Sequence, residues 1–168
     1  VLSDHGQAMK ERREFPYYGH GLFLYDEIIQ VPLIVKLPRN KKIKANEGYQ
    51  SLTAIPKFIL NVLYGDYSDS LTTEFAFSEW FGEKLNFEEA IKRGLLPNNP
   101  NLEEKYQKIN YPRKAVYKKG YKLVVNGSNG NIIEFNYKGK AVDPPSDILK
   151  DMLEELEIFK GTEKFVLP

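Results

Sequence analysis

A chain of 168 residues is long enough for one ordinary domain, or one and a half small ones. With 42% hydrophobic and 28% charged residues it can bury a core. Lys plus Arg number 24 against 23 Asp plus Glu, and the net charge of +1 argues against a protein that holds nucleic acid or a membrane surface by bulk charge. No apolar run approaches the ~20 residues of a membrane span, and the absence of cysteine excludes disulfide scaffolds, thiolate zinc sites and cysteine nucleophiles within this sequence.

The chain opens Val1-Leu2-Ser3-Asp4-His5-Gly6, with neither an initiator Met nor a signal peptide, and reads as a piece of a longer protein. Residues 3–21 are polar and punctuated by Gly6, Pro16, Gly19 and Gly21. They predict a long loop with a short helix over 7–13. Residues 22–29 suit a short helix, 32–37 (PLIVKL) a buried strand, and 39–44 a solvated basic turn. Leu52, Ile55, Ile59, Val62 and Leu63 fall at helical spacing, with Pro56 suited to the first turn and Gly65 to the C-terminal cap. Residues 73–80 alternate and are rich in aromatics, which predicts a strand with Phe75, Phe77 and Trp80 in the core. Residues 87–93 read as a helix ended by Gly94. Residues 96–112, with Pro97, Pro100, Pro112 and several Asn, read mostly as loop.

Three further strands, 113–119, 121–126 and 131–137, are separated by Gly120 and by Gly127-Ser128-Asn129-Gly130, the spacing of an antiparallel meander. After Pro144-Pro145, Ser146 can cap a last helix. Its Ile148, Leu149, Met152, Leu153, Leu156 and Phe159 line one face, Gly161 would end it, and the face is expected to pack on the meander.

The chemistry concentrates at the N-terminal end. The sequence has two histidines, His5 and His20, each followed by Gly, which allows close approach of a ligand. Asp4-His5 at a strand end offers a carboxylate and an imidazole toward one cavity, a pair able to ligate a divalent cation whose other ligands come from elsewhere. The alternative for an Asp-His pair is that Asp4 caps a turn and His5 is a surface residue.

Ser3-Asp4-His5-Gly6, then Gly19-His20-Gly21-Leu22-Phe23-Leu24-Tyr25-Asp26-Glu27, then Val31-Pro32-Leu33-Ile34-Val35 resemble the sulfatase family of the alkaline phosphatase superfamily, in order and spacing. The stretches 53–65 and 113–125 are similar to later elements of that family more loosely, with Thr53 and Lys57 standing where Asp and Thr are usual. The resemblance implies an α/β fold of alkaline phosphatase type. Residues 1–65 would be the C-terminal portion of the central sheet and catalytic core, and 66–168 a subdomain of a small antiparallel sheet packed by a C-terminal helix.

It also implies hydrolysis of sulfate esters through a formylglycine nucleophile, with a divalent cation, usually Ca2+ and otherwise Mg2+ or Mn2+. By the motif match Asp4 and His5 are metal ligands. His20 is the residue that contacts the sulfate and the leaving oxygen, where a proton donor lowers the barrier as negative charge builds. The family's C/S-x-P-x-R nucleophile motif is absent from this sequence, so the chain alone is expected to be inactive. Its partners would be a sulfate-ester substrate and the N-terminal part of its own chain, with dimerisation through exposed edges. Gln7 stands where Glu is usual, and the loop that follows carries Arg12 and Arg13, either surface residues or contacts for an anionic substrate. Two alternatives stay open: a phosphodiesterase or phosphonate monoester hydrolase of the same superfamily, and a non-catalytic module that retains the motif.

Overall fold

The computed structural model of the protein describes residues 1–159, apart from Leu22, Lys44, Ala45, Glu47, Asp69, Glu83 and Lys84. The fold is mixed α and β, with a five-stranded antiparallel sheet as its largest element. Two compact units interleave along the sequence. The first takes residues 1–35, 78–113 and 126–130, and the second takes 36–77, 114–125 and the described residues from Asn131 onward. Among the described residues no helix is long and apolar enough to cross a membrane.

In the first unit, β1 (Ala8–Met9) and β2 (Tyr18–Gly19) form a short antiparallel ribbon, pairing Ala8 with Gly19 and Met9 with Tyr18. The ribbon replaces the helix expected over 7–13. Lys10 takes a positive φ of 68°, which breaks any helix there and turns the chain. The helix expected over 22–29 is confined to α1 (Asp26–Ile29), and Leu22 lies outside the described residues.

The apolar run 32–37 is not a strand. Leu33 makes one isolated bridge to Leu2, while Ile34 and Val35 are exposed. An apolar run becomes a buried strand only when a neighbour supplies a ladder, and among the described residues only the two N-terminal residues do so. The core joins Phe15, Tyr17, Phe23 and Ile28 to Phe87, Ala90, Leu96, Leu102 and Tyr106. The last five come from α3 (Phe87–Lys92), capped by the Asn86 side chain on Glu89 N–H, from α4 (Glu103–Ile109) and from the segment between them. The stretch 96–112 expected as loop therefore holds a helix. Asn99 caps a 3-10 turn that opens with Pro100 and runs into α4, and Tyr106 is fully buried.

In the second unit, β3 (Tyr49–Gln50) pairs with β4 (Thr72–Thr73) on either side of α2 (Ile55–Leu63). The apolar face expected for α2 is rotated. Phe58 is buried with Ile55 and Val62 half-buried beside it, an i, i+3, i+7 stripe, whereas Ile59 and Leu63 face solvent. The basic turn is a 3-10 turn at Pro38–Asn40, and its expected end at Lys44 lies outside the described residues.

The main sheet has the order β5 (Phe75–Trp80), β6 (Arg113–Lys118), β7 (Tyr121–Asn126), β8 (Ile132–Tyr137), β9 (Lys140–Ala141). The expected meander is present and gains a strand at each edge. Lys119-Gly120 turns β6 into β7 with both residues at positive φ, 47° and 85°, the two-residue hairpin geometry whose twist matches the strands. Tyr121 and Tyr137 face each other across the β7–β8 register, rings 4.6 Å apart.

Helix α5 (Ser146–Phe159) lays Met152 and Leu156 against Val116, Leu123, Val125 and Phe135, as its periodicity predicts; its expected stop at Gly161 lies outside the described residues. Each such side chain contributes roughly 1.5–3 kcal/mol. Phe77 stacks on Phe159 at 4.7 Å. On the α5 side, Lys118 is only 6% exposed in its side chain and bonds to Asp151 and, at 2.9 Å, to Glu74. The Asp151 hydrogen bond above all, opposed by burial and helped by Glu74, holds this ammonium above the ordinary lysine value.

Candidate functional site

The sequence-predicted residues Asp4, His5 and His20 meet within the first unit. Each arrives by a different local device. The Ser3–Gly6 turn is fastened to α1: Gly6 N–H donates to Ile28 O at 2.6 Å and Gln7 N–H to Glu27 O at 3.0 Å. Glycine is required at position 6, because a Cβ there would lie 2.1 Å from the Glu27 carbonyl oxygen. The turn is tightened by Ser3 Oγ donating to His5 O at 2.7 Å and His5 N–H donating to Asp4 Oδ1 at 3.1 Å.

His20 leaves the end of β2 and is placed by Tyr17, whose hydroxyl accepts from Gly21 N–H at 2.9 Å. Tyr18 N–H donates to Leu95 O at 2.8 Å, anchoring the same ribbon on the segment after α3. The loop between β1 and β2 is held by Arg12, which makes a two-point ion pair with Glu27 at 2.9 and 3.1 Å and lies 3.7 Å over the Tyr25 ring. Tyr25 in turn stacks on Phe23 at 4.5 Å. Burial raises the Glu27 carboxyl, but the hydrogen bonds and charge of Arg12 outweigh it and leave the group below the ordinary glutamate range. Arg12 is thus committed to Glu27 and Tyr25 rather than presented bare to an anion.

The imidazoles of His5 and His20 stack face to face, centroids 3.8 Å apart and planes 16° from parallel. A metal ion lies in the plane of an imidazole that ligates it, so two nearly parallel rings cannot share one ion. The stack therefore keeps the two histidines from joining the same coordination shell. His5 Nδ1 lies 2.8 Å from Gly6 O. A carbonyl oxygen only accepts, so Nδ1 carries the hydrogen and the lone pair of the neutral ring sits on Nε2. This is the hydrogen bond that orients most metal-ligating histidines.

Nε2 stands 3.8 Å from Asp4 Oδ2, with both side chains open to solvent, 43% and 87%. Two donors held about 2.1–2.5 Å from one cation lie about 3–4 Å apart, so the pair fits a divalent ion. The Asp4 carboxyl is kept below the ordinary aspartate range by its own backbone N–H, by the charge of the His5 ring when that ring is protonated, and by the His5 N–H. The pair is an incomplete shell: among the described residues no group of three or more His, Asp or Glu side chains is placed to hold a metal.

Three further residues support the arrangement without having been given a role from the sequence. Gln7 Oε1 lies 3.3 Å from His20 Nδ1, Tyr17 fixes the backbone after His20, and Glu27 receives both the turn and Arg12. Gln7 and Glu27 lie beside or within the quoted motifs, whereas Tyr17 carried no sequence signal. Searches against protein families, curated proteins and solved structures return no match for this chain.

Proposed function

We propose that this chain carries part of the active site of a metal-dependent sulfatase of alkaline phosphatase type. The observation that supports the reading is the juxtaposition of Asp4, His5 and His20: a cation-ready pair with a second imidazole stacked against it. Asp4 and His5 would hold a divalent cation, Ca2+ or else Mg2+ or Mn2+, through a carboxylate oxygen and Nε2. When bound, the cation draws charge from the sulfate oxygens. As imidazolium, His20 gives its Nε2 proton to the ester oxygen while the nucleophile bonds to sulfur, the S–O bond breaks and the ester oxygen takes the bonding pair. The nucleophile, a formylglycine, comes from sequence other than this one, which has no C/S-x-P-x-R. A phosphonate monoester hydrolase would use the same three residues, because sulfate and phosphonate esters share tetrahedral geometry and negative charge.

The test uses the protein that joins this sequence to a nucleophile segment, assayed on aryl sulfates and aryl phosphonates with and without chelator. Chelation should abolish turnover. His20→Ala should lower it about 100–1000-fold, the usual loss for one donor to a developing oxyanion. Full activity after His5→Ala and His20→Ala together would sink the site assignment. On the chain alone, Mn2+ should broaden the Asp4 and His5 proton resonances before any others, and His5→Ala should remove that preference.

A further inference from the structure

We infer that Gln7 is the positioning residue of His20, fixing which ring nitrogen carries the hydrogen and so which atom His20 presents outward. Gln7 follows the turn that seats Asp4 and His5, and its backbone N–H is tied to Glu27 O at 3.0 Å. Its side chain reaches across to His20, with Oε1 3.3 Å from Nδ1. An amide oxygen only accepts, so His20 holds its hydrogen on Nδ1, and Nε2 is the atom left for a ligand. A neutral His20 then offers a lone pair at Nε2 and can only accept there. It donates from Nε2 only as imidazolium, when both nitrogens carry hydrogen. The ring's role in the reaction rests on the sulfatase reading above; the tautomer does not. A glutamine at this position orients the ring without placing a negative charge against it, and so differs from the glutamate that the resembling family commonly carries.

Both histidines of the chain adopt the same tautomer by different means, His5 through a backbone carbonyl and His20 through a side chain. Free histidine prefers the opposite form, with hydrogen on Nε2, so the effect is diagnostic. Long-range 15N–1H correlation spectra of the 168-residue chain, followed upward in pH until the ring signals no longer change, read the tautomer of each neutral ring. The expected result is the Nδ1–H form as the majority for both. Gln7→Leu should return His20 to the Nε2–H majority and leave His5 unchanged, and Gln7→Glu should keep the Nδ1–H form of His20.

A majority of Nε2–H on His20 in the unaltered chain would mean that the amide presents its NH2 group instead, and would overturn the proposal. So would persistence of Nδ1–H in Gln7→Leu with His5 intact. If Gln7→Leu also disturbs His5, the unaltered chain and Gln7→Glu decide, and both must show the Nδ1–H form. The measurement uses neither substrate nor metal, so an inactive sulfatase would leave it standing, and a reversed tautomer would leave the Asp4–His5 pair standing.

Discussion

The turn that carries Asp4 and His5 and the sheet that carries α5 are held by different kinds of force. The sheet and its helix bury Val116, Leu123 and Met152 completely, and Val125, Phe135 and Leu156 join them in one cluster. The turn buries almost nothing at its tip. It is fixed by two backbone hydrogen bonds to the last turn of α1, by one position where a side chain cannot fit, and by an arginine stacked on a tyrosine. A packed cluster spreads its stability over many residues, whereas a fastened turn depends on a few contacts, each far apart in sequence.

That contrast can be broken at its strong side first. Leu123→Ala empties a fully buried position and should cost about 2–5 kcal/mol, read as a lower urea midpoint of the second unit. Asp151→Asn should cost about 1.5–3 kcal/mol, because the nearly buried Lys118 keeps only Glu74 as a carboxylate partner. A lysine held above its ordinary value contributes stability that is complete below 10.5 and is lost as pH rises through the folded-state value. The gap between wild type and this variant should therefore stay constant from neutral pH to 10.5 and narrow above it.

At the turn, Gly6→Ala forces a carbon into the Glu27 carbonyl and should cost about 1–3 kcal/mol. Its sharper mark is loss of the His5–His20 ring contact, visible as separate shifts of the two imidazole protons. The smallest effect belongs to Glu27→Gln, about 1 kcal/mol or less for a partly exposed pair. Its carboxyl lies below the ordinary range, so its contribution is complete above 4.5 and is lost as pH falls through the folded-state value. Wild type and Glu27→Gln should then converge in acid, by denaturant titration.

The same division explains what could be read from the sequence. The meander, α3 and α5 are legible because their signals are local: glycine turns at strand spacing, a glycine stop and an apolar stripe. Helix α4 was hidden because Pro97 and Pro100 look like loop punctuation, although Pro100 after Asn99 is a helix opening and Leu102, Tyr106 and Ile109 follow at helical intervals. The run 32–37 misled because apolar content alone does not supply a partner strand. Asp4, His5 and His20 were picked out by a motif, and the structure brings the three together. The supporting contacts of Gln7 to His20 and of Glu27 to the turn were not readable, since they span 13 and 20 residues, which no local pattern encodes.

The closeness of Gly6 to Glu27 sets how this region would look in a saturation scan that scores abundance and activity side by side. Every substitution at position 6 starts with the same forbidden carbon, so all nineteen should depress both scores together. The Asp4 side chain is almost wholly in solvent and gives the turn one hydrogen bond, so its substitutions should change abundance far less. If Asp4 holds a cation as proposed, they should still lower activity, and a map of activity alone would rank the two positions as equals. The pair of scores would separate the position that the backbone cannot do without from the one proposed to meet the ion.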